Sequence, residues 1–307
     1  MIKKKHMTKP PKRNVKKQWS LFWICLPFMI MVLMFNYIPI GGWIISFYDY
    51  RPGRPLFDNQ WVGFKFFELF FTDRKVLQVI QNTLIFSAIS FCTSPLPMIF
   101  AICLNEIQSA KFRKVAQTVT TLPHFVSWVI VYSLFFALFS VDGVVNEVLK
   151  LLGSDVQTNV LQNNDIVYLF QTLVGQWKGL GWGAIIYIAA LAGIDQELYE
   201  AAAIDGAGRF KSAIHITLPG IMPTFITLLM LNISNLINTG YEQYYVFKNS
   251  VTYDKLEVLD LYIYKQGLQL FDYSYSTAVG MVKSVISIVL LTCANVLSKK
   301  VRGNSIF

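Results

Sequence analysis

The chain has 307 residues, 54% of them hydrophobic and only 15% charged, with a formal net charge of +9. So much apolar surface against so little charge excludes an ordinary soluble globular domain and points to an integral membrane protein. The positive surplus is no argument for nucleic acid: much of it sits in one tail ahead of the first apolar run, where it faces an anionic inner leaflet and sets topology.

That tail, residues 1–19, carries eight Lys and Arg between Lys3 and Lys17. A charge-free apolar run follows at about 20–42; it is too long for a signal peptide and no small-residue cleavage site follows it, so it reads as an uncleaved first span. The aromatic stretch Trp61 to Phe71 in the next segment is predicted to lie as an amphipathic piece in the outer interface. A second span at about 78–103 is broken by Pro95 and Pro97, and a third at about 116–139 is kinked by Pro123, because proline removes a helical hydrogen bond. The fourth span, 167–191, is interrupted by Gln171, Gln176, Trp177, Lys178 and Trp182. The fifth, 218–240, holds Asn232, Asn235 and Asn238 and leads to Tyr241, Glu242, Gln243, Tyr244 and Tyr245; spacing by three sets the amides near one helical face. A sixth span, 276–297, contains Lys283, which either pairs with a carboxylate, on this chain or a partner, or snorkels; the tail 298–307 closes the chain.

Counting Lys and Arg by segment orients these spans. With the N-terminus inside, inner segments carry 16 against 9 outside, and including the acids the inner face is +11 and the outer face −4. Six spans with both termini cytoplasmic follow, forming an all-α transmembrane domain over 20–297 with the loop 195–218 on the cytoplasmic side. In that loop Asp195, Glu197 and Glu200 lie near the start of a helix of good formers, where the macrodipole favours acids. Gly206 lies where that helix stops, since glycine turns left-handed at little cost. A second short helix is predicted over 208–216, ended by Pro219. Two short helices at an angle make a rigid knob.

The chemistry of the chain is sparse. No Gly-x4-Gly-Lys-Ser/Thr loop is present, and Gly280-Met-Val-Lys-Ser284 lacks the glycines that wrap phosphates. Cys25, Cys92, Cys103 and Cys293 all fall in spans without metal-ligand spacing and read as small buried packing residues. His6, His124 and His215 do not cluster, so neither a metal site nor a catalytic constellation is expected. Polar residues at membrane depth tend to face a bundle interior or wet cavity. Gln176, Trp177, Lys178, Trp182, Asn232, Asn235, Asn238, Tyr241, Glu242 and Tyr244 are therefore candidates to line a pathway for a hydroxyl-rich solute. Interhelical hydrogen bonding is the competing explanation for the same residues.

The run Glu200-Ala-Ala, three residues, Gly206, nine residues, then Ile216-x-Leu218-Pro219 resembles the cytoplasmic signature loop of binding-protein-dependent ABC importer permeases. Asn82-Thr83, Leu104-Asn-Glu-Ile107, Phe112-Arg-Lys114, Leu122-Pro-His-Phe-Val-Ser-Trp128 and Gly179-Leu-Gly-Trp182 look like the carbohydrate branch that imports oligosaccharides. The resemblance spans about 35–300. It implies a type I ABC importer permease fold in the bacterial plasma membrane, alternating access, and no ATP site on this chain. ATP and Mg would belong to two partner ATPase subunits. A second homologous permease, expected to be a different chain, and an extracellular solute-binding protein would complete the assembly. By the same resemblance Glu200, Ala201, Ala202, Asp205, Gly206, Arg209 and Phe210 would seat in a cleft of the ATPase; Arg209 and Lys211 suit lipid phosphate equally well. The alternatives are an ion-gradient-driven secondary transporter, which calls for intramembrane acids, and a membrane-embedded enzyme, for which His124 and Lys178 alone are too little.

Overall fold

The computed structural model describes residues 15–153 and 158–302, so most of the basic tail and residues 303–307 lie outside the described residues. Helix α1, Val15–Val32, continues through a π-turn at Leu33–Tyr37 and a 3-10 stretch, Ile38–Phe47. The short α2, Lys65–Thr72, leads to α3, Arg74–Thr93, and α4, Leu96–Asn105. Then come α5, Ala110–Thr121, α6, Trp128–Phe139, and α7, Val144–Leu151. The long helix α8, Val167–Leu191, is followed at a bend of 75° by α9, Gln196–Ile204. After α10, Arg209–Ser212, come α11, Leu218–Ser234, and the short α12, Glu242–Phe247, α13, Tyr253–Leu256, and α14, Leu259–Tyr264. Helix α15, Tyr273–Arg302, closes the bundle. Five helical runs are long and apolar enough to cross a bilayer, and α8 with its bent partner makes a sixth. Among the described residues the fold is all-α; Tyr48 and Trp61 meet in an isolated bridge.

Several boundaries differ from expectation. The third span is more than kinked at Pro123: α5 ends at Thr121, a 3-10 turn covers Leu122–Phe125, and Ser127 caps α6 by accepting from the Ile130 N–H. The fifth helix stops at Ser234 rather than near 240, because Asn235 bonds back to the Leu231 carbonyl and Gly240 takes a left-handed φ of 75°. Pro219 does not end a helix. Helical backbone runs on from Arg209, and a π-turn at Ala213–Thr217 precedes the proline, which sits in the first turn of α11 where its missing N–H costs least. All four cysteines are exposed rather than buried, on outward faces of the bundle.

The segment after α11 folds back among the helices. Asn82 on α3 donates to the carbonyls of Asp254 (2.6 Å) and Glu257 (3.1 Å) and accepts from the Tyr168 hydroxyl (2.7 Å). Its neighbour Thr83 accepts from the Leu259 N–H at 2.8 Å. These bonds satisfy backbone groups that the loop cannot pair internally. Phe66 and Phe70, one turn apart on α2, insert into a cluster with Val76, Val79, Leu259, Tyr275, Ala278 and Val279, while Phe64, Leu69 and Phe71 stay exposed. The aromatic stretch is thus partly core and partly exposed.

Glu257 is buried at 1% exposure yet charged partners surround it. Lys75 lies 3.2 Å from its Oε2, Lys265 pairs with its Oε1, and the Tyr253 hydroxyl donates to Oε1 at 3.3 Å. Burial by itself would lower the Lys265 pKa, but bonds to Glu257 and Tyr253 outweigh it and the net direction is up. Lys248, beside the same group, is pushed down by burial and by Lys265. Lys283 of α15 pairs with Asp260 of α14, so its partner is a carboxylate of this chain.

Glu257→Gln should strip a buried anion from two lysines and lower unfolding stability by about 3 kcal/mol in detergent melts. Because the Lys265 pKa is raised from its ordinary 10.5, the stabilisation from this lysine is complete below pH 10.5 and fades as pH climbs through the higher folded value. Melting temperatures of wild type and Lys265→Met should therefore converge only above that pH.

Candidate functional site

The polar spans meet around a half-open cleft of about 550 Å³. Helix α8 forms one wall with Gln171, Thr172, Gly175, Gln176, Gly183, Ile186 and Tyr187. From Gln171 to Tyr187 this wall follows roughly 24 Å of helix. Helix α3 supplies Phe86, Ser87, Ser90 and Phe91, with Ser94 and Pro97 beyond it and Trp128 from α6. The end of α11 and its exit contribute Leu228, Asn232, Asn235, Leu236, Asn238 and Thr239, followed by Gln243 and Tyr244 of α12. Small residues open the space: a Cβ at Gly183 would stand 3.2 Å from Pro97 and one at Gly175 3.4 Å from Gln243 Oε1.

The polar part of the lining is amide and hydroxyl, set among aromatic rings and the aliphatic Pro97, Ile186, Leu228 and Leu236, with no charged side chain among the lining residues. Gln243 donates to the Gln171 carbonyl (2.7 Å) and side-chain oxygen (2.9 Å), and Gln176 donates to Thr93 Oγ1 (2.8 Å). Asn238 donates to Asn235 Oδ1 at 3.2 Å. Ser94 Oγ is buried without a partner. Neutral donors and acceptors beside ring faces suit hydroxyl groups and the apolar faces of sugar rings.

Of the candidates from sequence, Gln176, Asn232, Asn235, Asn238 and Tyr244 lie on this cleft. The three asparagines reach it although only Asn232 is helical, since the chain turns after Ser234. The other five lie elsewhere. Trp177 packs its edge on Phe135, and Tyr241 stacks on Tyr264 at 4.5 Å. Glu242 is exposed in the first turn of α12. Lys178 donates to the carbonyls of Pro123 (3.1 Å), His124 (2.6 Å) and Val126 (2.7 Å), in the turn between α5 and α6. Trp182 stacks flat on His124 at 4.5 Å. Sequence reasoning missed Ser87, Ser90, Ser94, Thr172 and Trp128, because small hydroxyls and a lone indole within apolar runs give no periodic signal.

At its C-terminal end α8 turns into the knob. Asp195 caps α9 by accepting from the Glu197 N–H at 3.0 Å. The helix ends in a Schellman arrangement: Gly206 at φ 75° donates to Ala203 and Ala207 donates to Ala202. Tyr199 and Thr217 share a 2.9 Å hydrogen bond across the knob, and Gly220 lets α11 approach Ile194 closely. Glu200, Ala201, Asp205, Gly206, Arg209 and Phe210 are exposed, and Ala202 is half-buried. Ile204 and Phe210 stand 87% and 78% exposed on it, and Leu198 and Ile214 are exposed apolar side chains as well.

A family model described as a binding-protein-dependent transport system inner membrane component matches residues 93–303, and one described as a predicted membrane protein overlaps residues 16–166. Protein LplB of Bacillus subtilis (strain 168) is 40% identical over 295 residues, covering 95% of this chain and 92% of its own length. The polygalacturonan/rhamnogalacturonan transport system permease protein YteP of the same organism is 38% identical, covering 95% and 91%. A chain in the crystal structure of a bacterial alginate ABC transporter, in complex with alginate pentasaccharide-bound periplasmic protein, superposes with a TM-score of 0.85 at 33% identity, covering 95% of this chain and 98% of that one.

A Cβ at Gly181 would overlap the Thr120 carbonyl, where α5 and α8 touch backbone to backbone. Gly181→Ala is expected to force these helices apart and lower the detergent melting stability by about 2–3 kcal/mol.

Proposed function

The chain belongs to the family of binding-protein-dependent transport system inner membrane components, and on that footing we propose that it imports an oligosaccharide handed over by an extracellular solute-binding protein. It is a multi-pass permease subunit of a bacterial ABC importer, resident in the inner membrane, and the ATPase of such transporters is a separate subunit. The supporting observation is the continuity of α8. One face of this helix walls an uncharged, amide- and ring-lined cleft, and its C-terminal end turns directly into a rigid, exposed knob.

In this reading a second permease completes the pathway, as a heterodimer, and two ATPases holding ATP and Mg grip the knobs. Glu200 meets a basic residue of the ATPase, while Ala201 and Ala202 permit close approach. Asp205, Gly206 and Arg209 shape the bend, and Phe210 fills an apolar recess. Closure of the ATPases draws the knobs together and swings α8, exposing the cleft alternately to the two sides. Asn232, Asn235, Asn238, Gln176 and Tyr244 exchange hydrogen bonds and ring contacts with passing sugar residues. The N- and C-termini lie in the cytoplasm, as the positive-inside count requires.

The test is to purify the chain with whatever holds it and reconstitute it. Uptake of a pectin-derived oligosaccharide mixture should require ATP and the cognate binding protein; uptake by this chain alone, driven by an ion gradient, would overturn the proposal in favour of a secondary transporter. Asn232→Leu should raise the KM for uptake about ten-fold, the scale of a lost hydrogen bond or two. Glu200→Lys and Gly206→Pro should insert normally but lose ATP-coupled uptake, since proline cannot adopt the φ of 75° found there.

A further inference from the structure

We infer that Lys178 is a positioning residue that locks the α5–α6 joint to α8, so that motion entering α8 from the knob reaches Trp128 at the cleft wall without slip. The inference rests on the importer reading, because it concerns how that reading's movement is transmitted. The break between Thr121 and Trp128 interrupts the α-helical hydrogen-bond ladder inside the bundle, where an unpaired polar group is costly; the Pro123 carbonyl accepts the Val126 N–H within the 3-10 turn, while those of His124 and Val126 lie at and beyond its end. The Lys178 ammonium has three N–H donors and spends all three on Pro123, His124 and Val126. It has none left for a solute. The same ammonium lies 5.3 Å from the Trp128 ring centroid, a cation–π contact that fixes the one side chain of α6 lining the cleft.

Neighbouring positions on α8 complete the grip. Trp182, one turn on, stacks on His124 with an interplanar angle of 2°, and Gly181 admits the α5 backbone. Other residues of α8 line the cleft, from Gln171, two turns before Lys178 and nearly in line with it, round to Tyr187 on the far side of the helix. The helix then runs unbroken to Leu191, four residues before the Asp195 cap of α9. Joint, cleft wall and knob are therefore three attachments on one rod. A purely structural cap would hold the fold together but would make no difference to how the rod and the joint move.

The experiment uses the whole transporter in proteoliposomes, with Cys25, Cys92, Cys103 and Cys293 replaced by serine. Spin labels go on Val129→Cys of α6 and Ala189→Cys of α8, both exposed positions. Distances are read by electron–electron double resonance with and without ATP and vanadate, and ATP hydrolysis is measured in parallel. With Lys178 present, the distance distribution should not change with nucleotide. Lys178→Met should hydrolyse ATP but show a nucleotide-dependent shift of about 2 Å or more. A shift with Lys178 present, or its absence in an active Lys178→Met transporter, overturns the inference. If Lys178→Met does not assemble, Lys178→Gln decides, since it keeps N–H donors but loses the third donor and the charge over Trp128: a nucleotide-dependent shift in the active Lys178→Gln transporter supports the inference, and its absence overturns it. A preparation that binds no ATPase and hydrolyses no ATP instead fails the importer reading itself.

Discussion

Every broken stretch of backbone within this bundle must find hydrogen-bond partners, and the polar side chains of neighbouring helices supply them. Lys178 serves the turn between α5 and α6; Asn82 and Thr83 serve the segment from Asp254 to Leu259. Ser87 donates to the Leu236 carbonyl just past α11, and Asp260 receives the Gly240 N–H while pairing with Lys283. Without these bonds neither the interrupted third span nor the returning loop would be a stable place to build. Some polar residues of the spans, such as Lys178 and Asn82, only complete backbone, while others, such as Ser87 and Asn235, do so and also face the cleft.

Helix α8 shows the division most clearly. Lys178, Gly181 and Trp182 turn to the joint, whereas Gln171, Gly175 and Gln176 turn to the cleft. The two sets overlap around the helix: Gln171 and Lys178, seven residues apart, differ by only about 20° in azimuth but by about 10 Å along the axis, so depth along α8 and not azimuth alone sorts them. Interhelical bonding and facing the cleft, competing explanations for one polar cluster, coincide in Gln171 and Gln176, which line the cleft and bond to Gln243 and Thr93 of other helices, whereas Lys178 bonds without lining it.

Charge is sorted in the same way. Glu257, Lys75, Lys265 and Tyr253 form a network away from the cleft, tying α3 to the segment between α11 and α15. The buried carboxylate is tolerated because two ammonium groups and a hydroxyl surround it. The cleft itself stays neutral, which favours transient contacts with hydroxyls over tight electrostatic capture.

Sequence alone determined the all-helical membrane architecture, since long apolar runs have few other ways to exist. It also placed α8 at Val167–Leu191 and the left-handed stop at Gly206, because local propensity and glycine's freedom at positive φ decide such features within a few residues. The family was legible in the spacing from Glu200 to Pro219. What only the tertiary structure decided were the partners: that Lys178 completes backbone near Pro123, that Asp260 meets Lys283, and that Asn235 and Asn238 reach the cleft from beyond a helix end. Those depend on which helix faces which across 20 to more than 50 residues of chain, as with the 55 positions between Lys178 and Pro123. Periodicity along one helix carries no information about its neighbour's unpaired carbonyls, so the roles of polar residues emerge only when the helices pack.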